Sequence, residues 1–244
     1  MKNKFPGSQY VGWRQFNVAV NISLKNRYIF IEMPKVASSS IKLLLSNHEV
    51  AGLPVTVKDP HPRFFESTFV KPYNLDEETL NEIFLPSSGF FKFCFVRNPY
   101  SRTLSAYLDK IQTLPSHRKQ ILKALSRGDD PDTAKISFSE FADALMLQQE
   151  FQMDKHWRSQ YSNALGGAVR LDFVGKLENF EDDIEFVKER LDIGLKTSDF
   201  VRRPHETKAN EKLLKFYTEK EIKIVKDRFA KDFEVFDYDT SFDF

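Results

Sequence analysis

Between Pro34 and Ser40 the chain reads PKVASSS: a lysine, two small apolar residues and three serines, set between the apolar run YIFIEM and the helically spaced IKLLLS. Lysine supplies a full positive charge and the serines supply hydroxyl donors. A helix starting here would add unpaired backbone N–H groups at the end of its dipole that carries roughly half a positive charge. The chemistry such a segment serves is the holding of an anion, by Pro34, Lys35, Val36, Ala37, Ser38, Ser39 and Ser40. It is not a P-loop proper, which needs glycines to wrap a triphosphate and ends Gly-Lys-Ser/Thr so that a hydroxyl reaches Mg²⁺. The lysine comes before the small residues, so an anion smaller than a metal-bound triphosphate is expected.

A second anion site is expected in FVRNPYSRTLSAY. Arg97 closes an apolar run, Asn98 can cap a helix, and Pro99 suits the first helical position. Arg102 and Ser105 then share one helix face. A guanidinium at a strand end and a hydroxyl one turn into the helix suit a phosphate, since arginine donates two parallel hydrogen bonds to paired oxygens. Two such sites on adjacent strands point to a nucleotide with phosphates at two positions, Arg97 and Ser105 holding the second.

Three apolar runs read as buried strands that must position these loops: Tyr28 to Met33, Phe90 to Val96, and Leu171 to Gly175. Each precedes a helical pattern. The first carries Ile41, Leu44 and Leu45 behind a serine cap; the second opens at Asn98; the third opens near Asn179 and carries Ile184, Val187 and Leu191. The expectation is an α/β fold, a P-loop-like, doubly wound parallel sheet flanked by helices. Ligands bind such sheets at the carboxyl ends of the strands. Ile222, Val225, Phe229, Phe233 and Phe236 form a helical core stripe from Thr218 onward. Residues 111–150 read as a helical insertion over one side of the cleft: a helix, a Gly-Asp-Asp-Pro break, and a helix opened by Ser139.

With 244 residues and 41% hydrophobic content the chain can bury a full core, and one domain is expected, with its core at about 27–238. The formal charge of +1 provides no global field for nucleic acid or an anionic membrane, so any basic site is local. No stretch reaches the ~18 apolar residues of a membrane span, and the start lacks a signal-peptide core. The single cysteine, Cys94, excludes an intrachain disulfide and reads as a buried structural thiol. A cytoplasmic protein is expected, with a Golgi-lumen location only for a piece of a longer parent. The oligomeric state is open.

The pair PKVASSS and FVRNPYSRTLSAY resembles the 5′-phosphosulfate and 3′-phosphate loops of sulfotransferases that use 3′-phosphoadenosine 5′-phosphosulfate (PAPS). It is most similar to the carbohydrate sulfotransferase family that includes the chondroitin 4-sulfating and HNK-1 enzymes. DKHWRSQY resembles that family's His-Trp-Arg-Pro-Gln box, DFVGKLENFEDD its Phe-x-Gly-Lys-x-Glu segment, and DFEVFDY its closing Asp-Phe-x-x-Phe-x-Tyr. Ser159 stands where the box has proline, and the paired cysteines of Golgi members are absent, which fits a reducing compartment.

The resemblance implies in-line transfer of a sulfuryl group to a hydroxyl, leaving adenosine 3′,5′-bisphosphate, with a carbohydrate as acceptor and no metal required. Positioning and electrostatics dominate such chemistry. It implies Lys35 at the leaving oxygen, the N–H groups from Val36 to Ser40 at the 5′ group, and Arg97 with Ser105 at the 3′-phosphate. A general base is needed, and histidine suits neutral pH. His61, in VKDPHPRFF between the two loops, lies where similar glycosaminoglycan sulfotransferases keep a catalytic histidine; His156 of the HWRSQ box is the alternative. His156, Trp157 and Arg158 either shape the acceptor site or brace the core. His48 and His117 read as solvated. His205 belongs to the basic loop RRPHETKAN, whose Arg202, Arg203 and Lys208 could touch a phosphate. Lys58, Arg63 and Lys71 would suit an anionic glycan or simply be solvated. The rivals are a nucleotide kinase with a degenerate P-loop and a non-catalytic nucleotide-binding module of the same fold.

Overall fold

The computed structural model describes residues 5–61, 66–200 and 209–242. In chain order the elements are α1 (Trp13–Ala19), β1 (Val20–Ser23), β2 (Tyr28–Ile31), α2 (Ser38–Glu49), α3 (Glu77–Phe84), β3 (Phe91–Val96), α4 (Pro99–Ala106), α5 (Pro115–Ala124), α6 (Phe138–Leu147) and α7 (Gln160–Asn163). There follow β4 (Phe173–Lys176), α8 (Phe180–Leu191), α9 (Thr197–Phe200), α10 (Ala209–Phe216), α11 (Glu219–Arg228) and α12 (Ala230–Val235). The chain divides into two compact units, Met1–Val96 with Ser162–His205, and Arg97–Tyr161 with Glu206–Phe244. No helix among the described residues is long and apolar enough to cross a membrane.

The first unit contains the sheet, with strand order β1-β2-β3-β4. The three expected strands are parallel: Tyr28 to Ile31 pair with Phe91 to Cys94, and Phe93 to Val96 with Phe173 to Lys176. β1 is an antiparallel addition, Val20 opposite Ile31, so the sheet is mixed rather than wholly parallel. Its buried polar residues interrupt the apolar signal. Asn21 donates to the Phe30 carbonyl at 3.3 Å, and Ser23 donates to Glu49 at 3.0 Å. The central strands are buried throughout, which explains their unbroken apolar runs.

Aromatic contacts fill this core: Phe30 and Phe93 have centroids 5.2 Å apart, and Phe95 lies 5.7 Å from Phe180. Ile41, Leu44 and Leu45 of α2 and Ile184 and Val187 of α8 are fully buried. Cys94 is a free, buried thiol pushed up to about 12 by burial, as a structural cysteine should be. The Phe-Val-Gly-Lys run places Gly175 opposite Phe95 in the ladder. A Cβ at Gly175 would stand 2.5 Å from the Phe95 ring, so the glycine of this segment is a packing requirement.

The second unit is helical. α4 packs with α10 and α11, and α6 packs with α11. Ile121, Leu122, Phe138, Phe141 and Leu145 all belong to its core, so residues 111–150 are an integral part of this unit. α6 opens at Ser137, two residues before the expected Ser139, because Glu140 closes a capping box with it. The C-terminal run breaks into two helices at Phe229, whose backbone leaves the helical region (φ −111, ψ 27). The stripe survives the break, with Val225, Phe229, Phe233 and Phe236 buried.

Asp232 is buried within this unit and accepts the backbone N–H groups of Gln160 and Tyr161, each at 2.8 Å. Burial pushes its carboxyl up to about 6, opposed by the Arg102 charge and these N–H groups.

Gly175→Ala is expected to cost about 1–3 kcal/mol through displacement of Phe95, read as a lower urea midpoint at unchanged slope. An unshifted midpoint would contradict the packing described. Asp232 gives a pH signature. With an ordinary carboxyl value near ~4 in the unfolded chain, its native form binds the extra proton between about pH 4 and 6. Its contribution to stability is therefore full below that window and lost as pH rises through 6. Relative to Asp232→Asn, wild-type stability should fall across pH 4 to 6 and run parallel above it; parallel curves throughout would refute the shifted carboxyl.

Candidate functional site

In the first unit, β2 ends at Ile31 and the chain turns through Pro34–Ala37 into α2. No serine caps this helix: its N-cap is Ala37, in the left-handed region (φ 58), and Ser38, Ser39 and Ser40 fill its first turn. Lys35 is also left-handed (φ 72). Such a conformation costs a non-glycine residue about 1–2 kcal/mol, and the turn adopts it twice without a glycine. Left-handed residues in a turn at a helix N-terminus are the kind of backbone that can present neighbouring N–H groups to an anion. Val36 is buried and anchors the loop, whereas Ser39 is exposed.

Two side-chain contacts frame the loop. Glu32 precedes it and Lys42 follows it one turn into α2, and their charged groups meet at 2.9 Å with side chains only 10% exposed. Sequence reasoning missed this pair, whose members are separated by the whole loop. His61 Nε2 lies 2.8 Å from Ser39 Oγ, and the His61 N–H donates to Asp59 at 2.8 Å. The fold thus brings His61 to the serine run. Lys71 is no surface charge: its ammonium donates to the Val20 carbonyl and, at 2.6 Å, to Asn21 Oδ1, and burial lowers its pKa to about 7. Lys58 is exposed, and Arg63 lies outside the described residues. His48 is half-buried rather than solvated, and burial lowers its pKa.

In the second unit, Asn98 caps α4 as expected, accepting from the N–H groups of Tyr100 and Ser101, with Pro99 in first position. Arg97 is held by its backbone. Its N–H donates to Gln160 Oε1 and its carbonyl accepts from Gln160 Nε2, both at 2.8 Å. Its Nε donates to Ser101 Oγ at 2.8 Å. Ser105 is 3% exposed, one turn further on. Arg102 serves the fold instead, donating to the carbonyls of Arg158 and Lys155. Arg202, Arg203, His205 and Lys208 lie outside the described residues.

The HWRSQ box is largely internal to this unit. Trp157 is 1% exposed, with Nε1 donating to Gln148 at 3.0 Å and its ring edge-on to Phe141. Arg158 donates to the carbonyls of Glu150, Phe151 and Met153. His156 is half-buried with Nδ1 2.5 Å from Asp154 Oδ1. Burial holds His156 below its ordinary value, against the raising effect of Asp154. Burial alone would raise Asp154, but the hydrogen bonds and charge of His156 outweigh it and bring it to about 2. His117 is not solvated either, since its Nε2 stands 3.7 Å from Asp154 Oδ2. Gln160, Asp232 and Asp154 were missed as positioning groups; all three stood inside quoted motifs, but their pairing required the fold.

Comparison with known proteins agrees with the loop resemblance. The chain is 28% identical over 177 residues to carbohydrate sulfotransferase 14 of Danio rerio, covering 68% of this chain and 46% of the relative. The Mus musculus form is 31% identical over 174 residues, 69% of this chain and 45% of its own. Carbohydrate sulfotransferase 9 of Homo sapiens is 25% identical over 236 residues, 89% of this chain and 52% of its own. The chain spans about half the length of the curated relatives it matches. No solved structure matches it. The Sulfotransferase family pattern matches residues 19–239. With the segments PKVASSS and FVRNPYSRTLSAY, the HWRSQ box and the closing motif inside that span, the chain belongs to the Sulfotransferase family.

Proposed function

We propose that this protein transfers a sulfuryl group from PAPS to a hydroxyl of a carbohydrate acceptor, releasing adenosine 3′,5′-bisphosphate. The observation that carries this reading is the strained, glycine-free turn of Lys35 and Ala37 leading into the serine-lined start of α2, inside the family match. We read it as a P-loop-like turn of a doubly wound type of fold. It supports an anion held by backbone N–H groups, as a phosphosulfate would be. The relatives' names add the carbohydrate acceptor.

The donor supplies an activated sulfuryl group whose transfer leaves charge on a phosphate oxygen. Lys35 stabilises that charge, and the N–H groups of Val36 to Ser39 with the hydroxyls of Ser38 to Ser40 orient the 5′ end; the Ser40 N–H of the expected set already donates to the Ala37 carbonyl at 2.9 Å. Arg97 and Ser105 take the 3′-phosphate. Supporting this, the Gln160 clamp fixes the Arg97 backbone, and Ser105 follows on the same α4 helix. Lys208 is an added contact in this proposal. His61 takes the proton of the acceptor hydroxyl; its bond to Ser39 supports that choice over His156, whose Nδ1 is tied to Asp154. The burial of Trp157 and the carbonyl contacts of Arg158 support a bracing role over direct acceptor binding.

Lys35→Ala and Arg97→Ala should each lower transfer of sulfur label from PAPS to an oligosaccharide panel by about 100-fold or more. Near-normal turnover in either would overturn the nucleotide assignment. A thermal shift with adenosine 3′,5′-bisphosphate that needs no Mg²⁺, against none with ATP, would set the reading apart from a kinase; binding without transfer would favour the non-catalytic module. His61→Ala should reduce kcat by about 100-fold with affinity for adenosine 3′,5′-bisphosphate kept. Should only His156→Ala behave that way, the base is His156.

A further inference from the structure

His117, Asp154 and His156 meet within the second unit, and the proposed reaction uses no such trio. His117 lies in the first turn of α5, and Asp154 and His156 sit two apart on the turn preceding α7. His156 Nδ1 is 2.5 Å from one oxygen of Asp154, and His117 Nε2 is 3.7 Å from the other. One donor atom from each residue lies within 4.8 Å of the other two. The side chains are 16%, 21% and 17% exposed in the order His117, Asp154, His156, sheltered but reachable from solvent.

Two imidazoles and a carboxylate from separate segments are the donor set of borderline divalent ions, and three protein ligands leave a fourth position for water. Ligands bound at zinc distances stand roughly 3.3 Å apart around a tetrahedron. Each imidazole faces its own oxygen of Asp154, at 2.5 and 3.7 Å, and one donor atom per residue already lies within 4.8 Å of the others, a spacing that side-chain rotation can adjust. Ser116 Oγ lies 3.3 Å from His117 Nδ1, an outer contact that leaves Nε2 as the ligand atom. Lys110 and Lys155 stand near His156 and work against a cation, although Lys110 is paired with Asp109 at 3.1 Å.

We infer that His117, Asp154 and His156 form a binding site for one divalent transition-metal ion of the zinc type, which ties the start of α5 to the turn carrying the HWRSQ box. The ion replaces the proton shared between His156 Nδ1 and Asp154, and that proton leaves to solvent. This site stands independently of the donor assignment.

The chain, cleared of metal with a chelator, is titrated with Zn²⁺ by calorimetry. One ion per chain is expected, with affinity about tenfold or more weaker in His117→Ala and in His156→Ala, and unchanged in His61→Ala and His48→Ala. Mg²⁺, which seeks oxygen ligands, should not compete. Two measurements on the unaltered chain need no variant: Co²⁺ should develop ligand-field absorption distinct from the aqueous ion, and the ring resonances of His117 and His156 should move together on adding Zn²⁺. Equal Zn²⁺ affinity in both alanine variants, an aqueous-like Co²⁺ spectrum, or unmoved ring resonances would each overturn the site and leave a proton-sharing cluster.

Discussion

The acceptance of two adjacent backbone N–H groups by one buried carboxylate organises the second unit. Asp232 receives Gln160 and Tyr161, Gln160 receives and donates to the Arg97 backbone, and Arg97 reaches Ser101. Three stretches far apart in the chain are thereby joined through a short series of hydrogen bonds. A carboxylate pushed up to about 6 by burial is a poor ion, yet its two acceptor oxygens match two main-chain donors that would otherwise be buried unpaired. The backbone of Arg97 is held in place on both its N–H and its carbonyl by this series.

The first unit solves a related problem differently. Its loop is held by an ion pair across its base, Glu32 to Lys42, and by the buried Val36, while Lys35 and Ala37 hold left-handed conformations. A glycine would relax that turn but would leave the loop more conformations to lose. Strain in one place and packing in another define this turn without a glycine.

The parallel strands and the Asn98 cap were legible, because each depends on residues close in sequence or on continuous apolar runs; His61 is singled out by resemblance, and its contact with Ser39 comes from the fold. β1 was not legible, since its buried Asn21 and Ser23 hide the strand pattern and owe their burial to partners on other elements. The serine cap was an error of backbone conformation: Ala37 occupies the capping position through its φ, which composition does not reveal. In the sequence Arg102 reads only as sharing a face with Ser105, Lys71 as a glycan contact or a solvated charge, and Arg158 as shaping the acceptor site or bracing the core; all three donate to main-chain carbonyls. A cation with a long stem can serve a loop's carbonyls as well as a ligand's oxygens, and only the fold distinguishes the two. The motif letters of the HWRSQ box and the closing segment were visible, but their meeting at Asp232 is a property of tertiary structure.

β3 and β4 are neighbours in the sheet, yet the stretch from Arg97 to Asp172 separates them. The ladder of Phe93 to Val96 with Phe173 to Lys176 is therefore a long-range pairing, and the entropy of closing that loop must be met before the strand contacts offset it. The last edge of the sheet is thus completed across a loop that holds residues 97–161 of the second unit.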